Sequence, residues 1–541
     1  MSVNGLSNNV LIFDTTLRDG TQAGGISFSC TDKLRLAEKL DDLGVAYIEG
    51  GWPGSNPRDA AFFTEARKMQ FRNARLTAFG STRRLGKTVE TDENLQALLY
   101  AETPVVSIFG KSWLLHVREV LHASPEENLE LIAESCHYLK EHGREVIFDA
   151  EHFFDGYKAD PEYARKVLLA AASAGVSCVT LCDTNGGAMP LEIATVCKDV
   201  RQFLPDGVTL GIHCHNDSEL AVANSILAVR SGARLVQGTI NGFGERCGNA
   251  NLCSIIPALQ LKAGFDCLPE GNTAFLKEIS YFVDDLANLR HDPRLPFVGD
   301  WAFAHKGGMH VNAVTKNPVT FEHIKPEMVG NRRQILVSDL SGKSNIRLKS
   351  AELGIDPGSD EQVAALLDLL KEKENAGYEY EAADASLALL MYKTLHKWTP
   401  FFTLEGFRVI VEKRKYDDGT AIAEATVKLS VNGVSRLMAA EGDGPVNALD
   451  IALRKALERF YPEISGIHLL DYKVRIMEGV NGTAARTRVL IDSTDGSKIW
   501  GTVGVSENII QASWEALVDS VEYVLFRLNA KPVNLDFETN S

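Results

Sequence analysis

His213-Cys214-His215 sets two imidazoles two residues apart, with Asn216 and Asp217 directly after them. In an extended segment, residues i and i+2 point to the same face. Both rings can then hold one divalent cation, provided a carboxylate from elsewhere joins them. Asp19 is the natural third ligand. It lies in Asp14-Thr15-Thr16-Leu17-Arg18-Asp19-Gly20-Thr21-Gln22, just after a short apolar run. A carboxylate, two imidazoles and an amide or water suit Mn, Zn or Mg alike. The competing reading is that both histidines only bond buried carbonyls. Arg18 and Asp19 are neighbours whose side chains should diverge, Asp19 toward a metal and Arg18 toward a developing oxyanion or a substrate carboxylate. A structural salt bridge is the alternative for that pair. Glu151, in Asp149-Ala150-Glu151-His152, is an acid–base group or a rim carboxylate.

Something must bring these segments together. Short β-rich runs occur at Val10–Asp14, Ala46–Glu49, Ala74–Phe79, Pro104–Phe109, Glu145–Asp149, Ser177–Cys182, Val208–His213 and Arg234–Ile240. Helical patterns lie between them, at Thr31–Leu43, Pro57–Gln70, Pro125–His142, Pro161–Ala174, Pro190–Phe203, Ser218–Ser231 and Asn251–Ala263. Several open with proline or a capping residue and several end at glycine, as helix termini prefer. Eight strands alternating with helices read as a parallel sheet, and eight is the number that closes a barrel. An open doubly wound sheet is the runner-up, but no GxGxxG turn follows the first strand. In a barrel, chemistry sits at the carboxyl ends of strands. That is where the polar and glycine-rich runs fall, including Glu49-Gly50-Gly51-Trp52-Pro53-Gly54, Asp183-Thr184-Asn185-Gly186-Gly187 and Asn241-Gly242-Phe243-Gly244-Glu245-Arg246-Cys247-Gly248-Asn249. Phe13 and Phe148 read as core.

The fold class expected is α/β: a (β/α)8 TIM barrel over 1–270, a helical linker with small subdomains over 271–400, and a C-terminal α+β domain over 401–541. The linker carries amphipathic helices at Asp360–Asn375 and Asp384–His396. The last domain repeats itself after about 64 residues. Strand Ala425–Val431, a second strand and helix Val446–Phe460 answer to strands Arg486–Asp492 and Trp500–Val505 and helix Ser506–Phe526. Such duplication implies pseudo-symmetry, and with no catalytic pattern in it, regulation or assembly is the expected role.

The chain has 541 residues, 45% hydrophobic and 24% charged, with a formal charge of −16. That balance argues against a nucleic-acid or anionic-membrane surface. No run of 18 apolar residues and no basic-then-apolar start is present, so neither a membrane span nor a secretory signal is expected. Nine scattered cysteines without a CxxC pair fit reduced thiols in the cytoplasm.

The motifs resemble those of a known superfamily. DTTLRDGTQ (14–22), HCHND (213–217) and NGFGERCGN (241–249) are similar to the DRE-TIM metallolyases. AFAHKGGMH (302–310) and SGKSN (341–345) resemble its Claisen-condensing branch, the α-isopropylmalate, homocitrate and citramalate synthases. The closing repeat resembles their regulatory domain. EGGWPGSNPRD (49–59), AEHFFDGYK (150–158), LCDTNGG (181–187) and VGNRRQILVSDLSGKSN (329–345) are most similar to the long citramalate synthases.

The resemblance implies an acyltransferase that condenses acetyl-CoA with pyruvate to (R)-citramalate, feeding 2-oxobutanoate and isoleucine synthesis. It implies Asp19, His213, His215 and Asn249 as metal ligands and Arg18 as the stabiliser of the oxygen that becomes negative. Thr184 and Gln22 would bind substrate, and Glu151 and His310 would transfer protons. His310, in the linker, would come from a neighbouring subunit, implying a homodimer. Isoleucine is the implied inhibitor. One departure stands out: Asn317-Pro318-Val319-Thr320-Phe321-Glu322 has Phe321 where the family has tyrosine. If that hydroxyl activates water or positions acetyl-CoA, activity here is weakened; if the ring only packs, Phe321 is a near-isosteric change. The competing expectations are an α-isopropylmalate synthase acting on 2-oxoisovalerate, a catalytically weakened amino-acid sensor, and a carbon–carbon lyase, which would generally lack the repeat domain.

Overall fold

The computed structural model describes residues 8–338, 341–396, 398–413, 421–477 and 485–533. It divides into two compact units, Met1–Phe303 with Glu322–Arg333, and Ala304–Phe321 with Gln334–Ser541.

In the first unit eight parallel strands close into a barrel: β1 (Leu11–Asp14), β2 (Tyr47–Gly51), β3 (Arg75–Ser81), β4 (Val105–Lys111), β5 (Glu145–Glu151), β6 (Cys178–Asp183), β7 (Thr209–Cys214) and β8 (Leu235–Gly238). β8 returns to β1 with Asp14 opposite Gly238. The (β/α)8 expectation therefore holds. β8 stops earlier than Ile240, because Ile240–Gly242 turns into a 3-10 segment with Asn241 at φ 59°. Helix starts follow the sequence signals. Ser29 with Asp32 and Ser124 with Glu127 form reciprocal caps, and prolines open the helices at Pro57, Pro125, Pro161 and Pro190.

The two-residue period of the strands stacks the barrel interior in layers. Phe13, Tyr47, Val105, Ile147, Cys178 and Leu235 form an apolar floor. Two residues further along their strands stand Glu49, Ser107, Asp149, Thr180 and Gln237, all buried and all polar. Above them the strand ends open to the mouth. The opposite strand faces, among them Ile48, Val106, Phe148, Val179, Ile212 and Val236, pack on the helices in the main core.

The second unit begins with a parallel pair, β9 (Ala304–His305) and β10 (Gln334–Ile335), and helices Gly308–Lys316, Lys343–Leu353, Asp360–Asn375 and Asp384–Leu395. Two antiparallel sheets follow: β11 (Thr403–Glu412), β12 (Ile422–Val431) and β13 (Val434–Gly442), then β14 (His468–Ile476), β15 (Thr487–Thr494) and β16 (Ile499–Ser506). Each carries one helix, Pro445–Leu457 or Ile509–Arg527, and the two halves share one core through Leu449, Leu453, Leu517 and Val521. The duplication is present with three strands per copy, where the sequence pattern shows two. The extra strands, β11 and β14, are exposed along most of their length and so lack a clean alternation. Both also break register near their start, at Leu404/Gly406 and Leu469/Asp471. Among the described residues no helix is long and apolar enough to cross a membrane.

Gly50 shows how tightly the mouth rests on this scaffold. A Cβ there would lie 2.3 Å from Phe62 Cε1 and 3.1 Å from Phe63 Cε1, two fully buried rings. Gly50→Ala is expected to lower stability by about 1–3 kcal/mol through overpacking, read as a shifted urea midpoint at unchanged slope.

Candidate active site

The loops that carry the site are tied together by their backbones. The β1 loop turns at once into a 3-10 segment, Gly20–Gln22, with Gln22 N–H bonded to the Asp19 carbonyl at 3.0 Å. His215 and Asn249 form a backbone bridge; Ala250 N–H donates to the Cys214 carbonyl and Asn216 N–H to that of Gly248, each at 2.9 Å. The loops after β7 and β8 thus run side by side, and Asn249 arrives beside the histidines.

Asp19, His213 and His215 offer ligand atoms that all lie within 4.8 Å of one another, and all three are buried. Asp19 Oδ2 lies 3.4 Å from His213 Nε2 and accepts from Asn249 Nδ2 at 2.7 Å. Two buried atoms here, His215 Nδ1 and Asn249 Oδ1, have no hydrogen-bond partner. Half a turn of the Asn249 amide exchanges its nitrogen and oxygen, setting an oxygen donor beside the triad. Converging donors with unspent capacity fit a divalent cation. Burial works to raise the Asp19 pKa, but Arg18, His213 and His215 outweigh it and hold the group at about 2. Burial, reinforced by His213, pushes His215 down to about 3. Both groups are in the ligand-competent form at neutral pH.

Arg18 does not diverge from Asp19. Its Nη1 lies 3.1 Å from Asp19 Oδ1, while Nε donates to Glu49 Oε2 at 2.6 Å. The reason is local: both residues lie in the turn that leads from β1 into the 3-10 segment, so the strand alternation that sends neighbouring side chains to opposite faces does not apply. The guanidinium also lies 3.7 Å above the Phe79 ring. Phe79 stacks on Phe109, with Trp52 edge-on to both. Burial drives Glu49 up to about 8 against the pull of Arg18.

A cavity of about 240 Å³ opens over these groups, lined by Arg18, Asp19, Gln22, Glu151, Thr184, His213 and His215 among others. The Thr184 hydroxyl accepts from the His152 N–H at 2.9 Å; His152 itself has a left-handed backbone, φ 55°. Glu151 is paired with Lys111. His310 belongs to the second unit, exposed on helix Gly308–Lys316, its ring 4.3 Å from that of the half-exposed Phe321.

The sequence reading missed several participants. Trp52, Phe79, Phe109 and Gln237 line the cavity, and Glu49 and Asp149 stood in strand-end runs without a role. The two-residue spacing Asp149–Glu151 and Phe79–Ser81 was the available signal, since it assigns each residue to the inner face. Asp14, in contrast, is spent on structure: it accepts from the Thr16 N–H and hydroxyl, both at 2.9 Å.

A family model described as HMGL-like matches residues 9–283, one described as homocitrate synthase post-HMGL domain-like matches 297–377, and one described as LeuA allosteric (dimerisation) domain matches 381–525. The (R)-citramalate synthase of Aquifex aeolicus is 56% identical over 524 residues, 96% of this chain and 99% of that one. The chain belongs to the (R)-citramalate synthases. The (R)-citramalate synthases of Geobacter sulfurreducens and Synechocystis are 55% and 52% identical, with 96% and 95% of this chain and 98% and 96% of theirs covered.

In this citramalate synthase family member, Arg246 clasps three loops. It has a left-handed backbone, φ 58°, and its side chain grips Asp217 at 2.7 and 2.8 Å and the Thr184 carbonyl at 2.7 Å. The pair is partly exposed, with side chains 39% and 25% accessible, so its net worth is small. Arg246→Met is expected to speed amide exchange in residues 241–249 while global stability changes by less than about 1 kcal/mol.

Proposed function

We propose that this acyltransferase condenses acetyl-CoA with pyruvate. The acetyl methyl loses a proton and adds to the keto carbon, water cleaves the thioester, and (R)-citramalate and CoA are released. The observation that carries the reading is near-full-length identity above one half to (R)-citramalate synthases. The barrel mouth supports it with a metal triad and an adjacent oriented arginine.

Asp19, His213 and His215 are proposed to hold a divalent cation, with Asn249 as a further ligand; Mn, Mg and Zn all suit this set. When bound, such a cation supplies Lewis-acid polarisation of a keto acid. Arg18, held by Glu49 and Phe79, is assigned the oxygen that gains negative charge. Thr184, whose hydroxyl is fixed by His152, and Gln22 are assigned the pyruvate carboxylate. Glu151 and His310 are proposed to move the protons, His310 coming from the second subunit of a homodimer. Lys111 balances the charge of Glu151. The division expected from sequence is proposed to match three tasks: catalysis in 1–270, completion of the site in 271–400, and regulation and dimerisation in 401–541. Isoleucine is proposed as the inhibitor and the cytoplasm as the compartment.

The deciding experiment follows free CoA with acetyl-CoA and a panel of 2-oxo acids. Fastest turnover of pyruvate is expected; faster turnover of 2-oxoisovalerate would overturn the substrate assignment, and no CoA release with any acid would favour the silent sensor. Arg18→Lys keeps the charge but loses the planar fork, and kcat is expected to fall roughly 100- to 1,000-fold with the fold intact. A chain ending near Pro400 is expected to lose inhibition by isoleucine while keeping measurable condensation; inhibition that persists would refute a regulatory C-terminus.

A further inference from the structure

His213 takes its orientation from outside the metal triad. Its Nδ1 lies 2.9 Å from Gln237 Oε1. Gln237 Nε2 donates to Asp149 Oδ1 at 2.8 Å, and Asp149 Oδ2 accepts from Ser107 Oγ, also at 2.8 Å. Exposures are 6% for His213, 1% for Gln237, 4% for Asp149 and 0% for Ser107, so these bonds are largely shielded from solvent.

The polarity of this chain follows from the groups in it. Asp149 accepts on both oxygens, from Ser107 Oγ on one and from Gln237 Nε2 on the other. Gln237 must turn its NH2 toward Asp149 and therefore its oxygen toward His213. An amide oxygen accepts only from a protonated ring nitrogen. His213 is thereby held with its proton on Nδ1 and a lone pair on Nε2, the nitrogen that lies 3.4 Å from Asp19 Oδ2. In the other tautomer an N–H would occupy the ligand position and two lone pairs would face each other across 2.9 Å.

We propose that Asp149 and Gln237 are positioning residues that set the tautomer of His213: the carboxylate orients the amide, and the amide fixes Nε2 as the metal-binding nitrogen. The proposal rests on reading Asp19, His213 and His215 as the metal site and names what prepares it. The interposed amide passes orientation along without adding a negative charge in contact with His213. Groups that orient ligating histidines typically change metal affinity about 10- to 100-fold.

The test is calorimetric titration of the metal-free, full-length protein with Mn2+, without substrate. Gln237→Met keeps the volume and removes the hydrogen bonds to His213 and Asp149, and a long one to Thr180; Mn2+ affinity is expected to fall about 10- to 100-fold. Exchanging the pair, Gln237→Glu with Asp149→Asn, keeps volume, charge and connectivity. The amide introduced on β5 then donates to the carboxylate introduced on β8, and that carboxylate accepts from both neighbours, so wild-type affinity is expected to return. A role confined to packing would spare Gln237→Met and give the exchange no reason to rescue. Wild-type affinity in Gln237→Met, or an exchange pair as weak as that variant, would overturn the relay. If Gln237→Met does not fold by circular dichroism, the exchange pair alone decides: retained affinity supports the relay and lost affinity sinks it. Asp19→Ala is the control on the underlying reading. Unchanged Mn2+ affinity there would remove the metal site itself, whatever the other variants do.

Discussion

Asp19 spends both of its oxygens at once. One meets Arg18 at 3.1 Å; the other accepts from Asn249 and faces His213. The residue is 3% exposed, so these groups do what water would otherwise do. They hold the carboxyl at about 2 against a burial that works the other way. Everything else at the mouth is arranged around keeping that one buried anion both charged and available. Arg18 is held in turn by Glu49 and the Phe79 face, and the β8 loop is laid against β7 so that Asn249 can reach in.

This arrangement is costly in isolation. Glu49, Asp149 and Asp19 lie in one shell with Arg18 as the shared cation, and removing charge from water is repaid only by good geometry and satisfied hydrogen bonds. Burial pushes Glu49 up to about 8 and raises Asp149. The barrel offsets the cost by rigidity: a polar layer sits directly on an apolar floor, each member two residues from its partner below. Ser107 and Gln237 satisfy Asp149 from within that layer.

Much of this was legible in the sequence. Eight strands with capped helices give the barrel, and the strand-end runs give Arg18, Asp19, Glu151, Thr184, His213 and His215, because polar residues following apolar strands are conspicuous. Gln237 was not legible. It sits inside a strand between Val236 and Gly238, where one polar residue carries no signal until the inner face is known. The Arg18–Asp19 contact escaped because the two residues sit in a turn where strand alternation no longer holds, which residue type alone does not show. β11 and β14 escaped because an exposed strand need not alternate. Phe321 was flagged by its departure from a family pattern; its tilted contact with the His310 ring is a matter of geometry that no pattern encodes.

The barrel closes where β8 meets β1, with Asp14 opposite Gly238. Asp19 follows the first of those strands and Asn249 the last, 230 residues away. The donor set proposed for the cation is therefore distributed across the seam of the ring. A chain emerging from the ribosome holds Asp19 early but cannot present the full set until its eighth strand is home. A metal that binds only the closed ring stabilises closure by mass action. On the proposed reading such a metal would be a rivet fitted after the last stave, its insertion reporting a complete barrel.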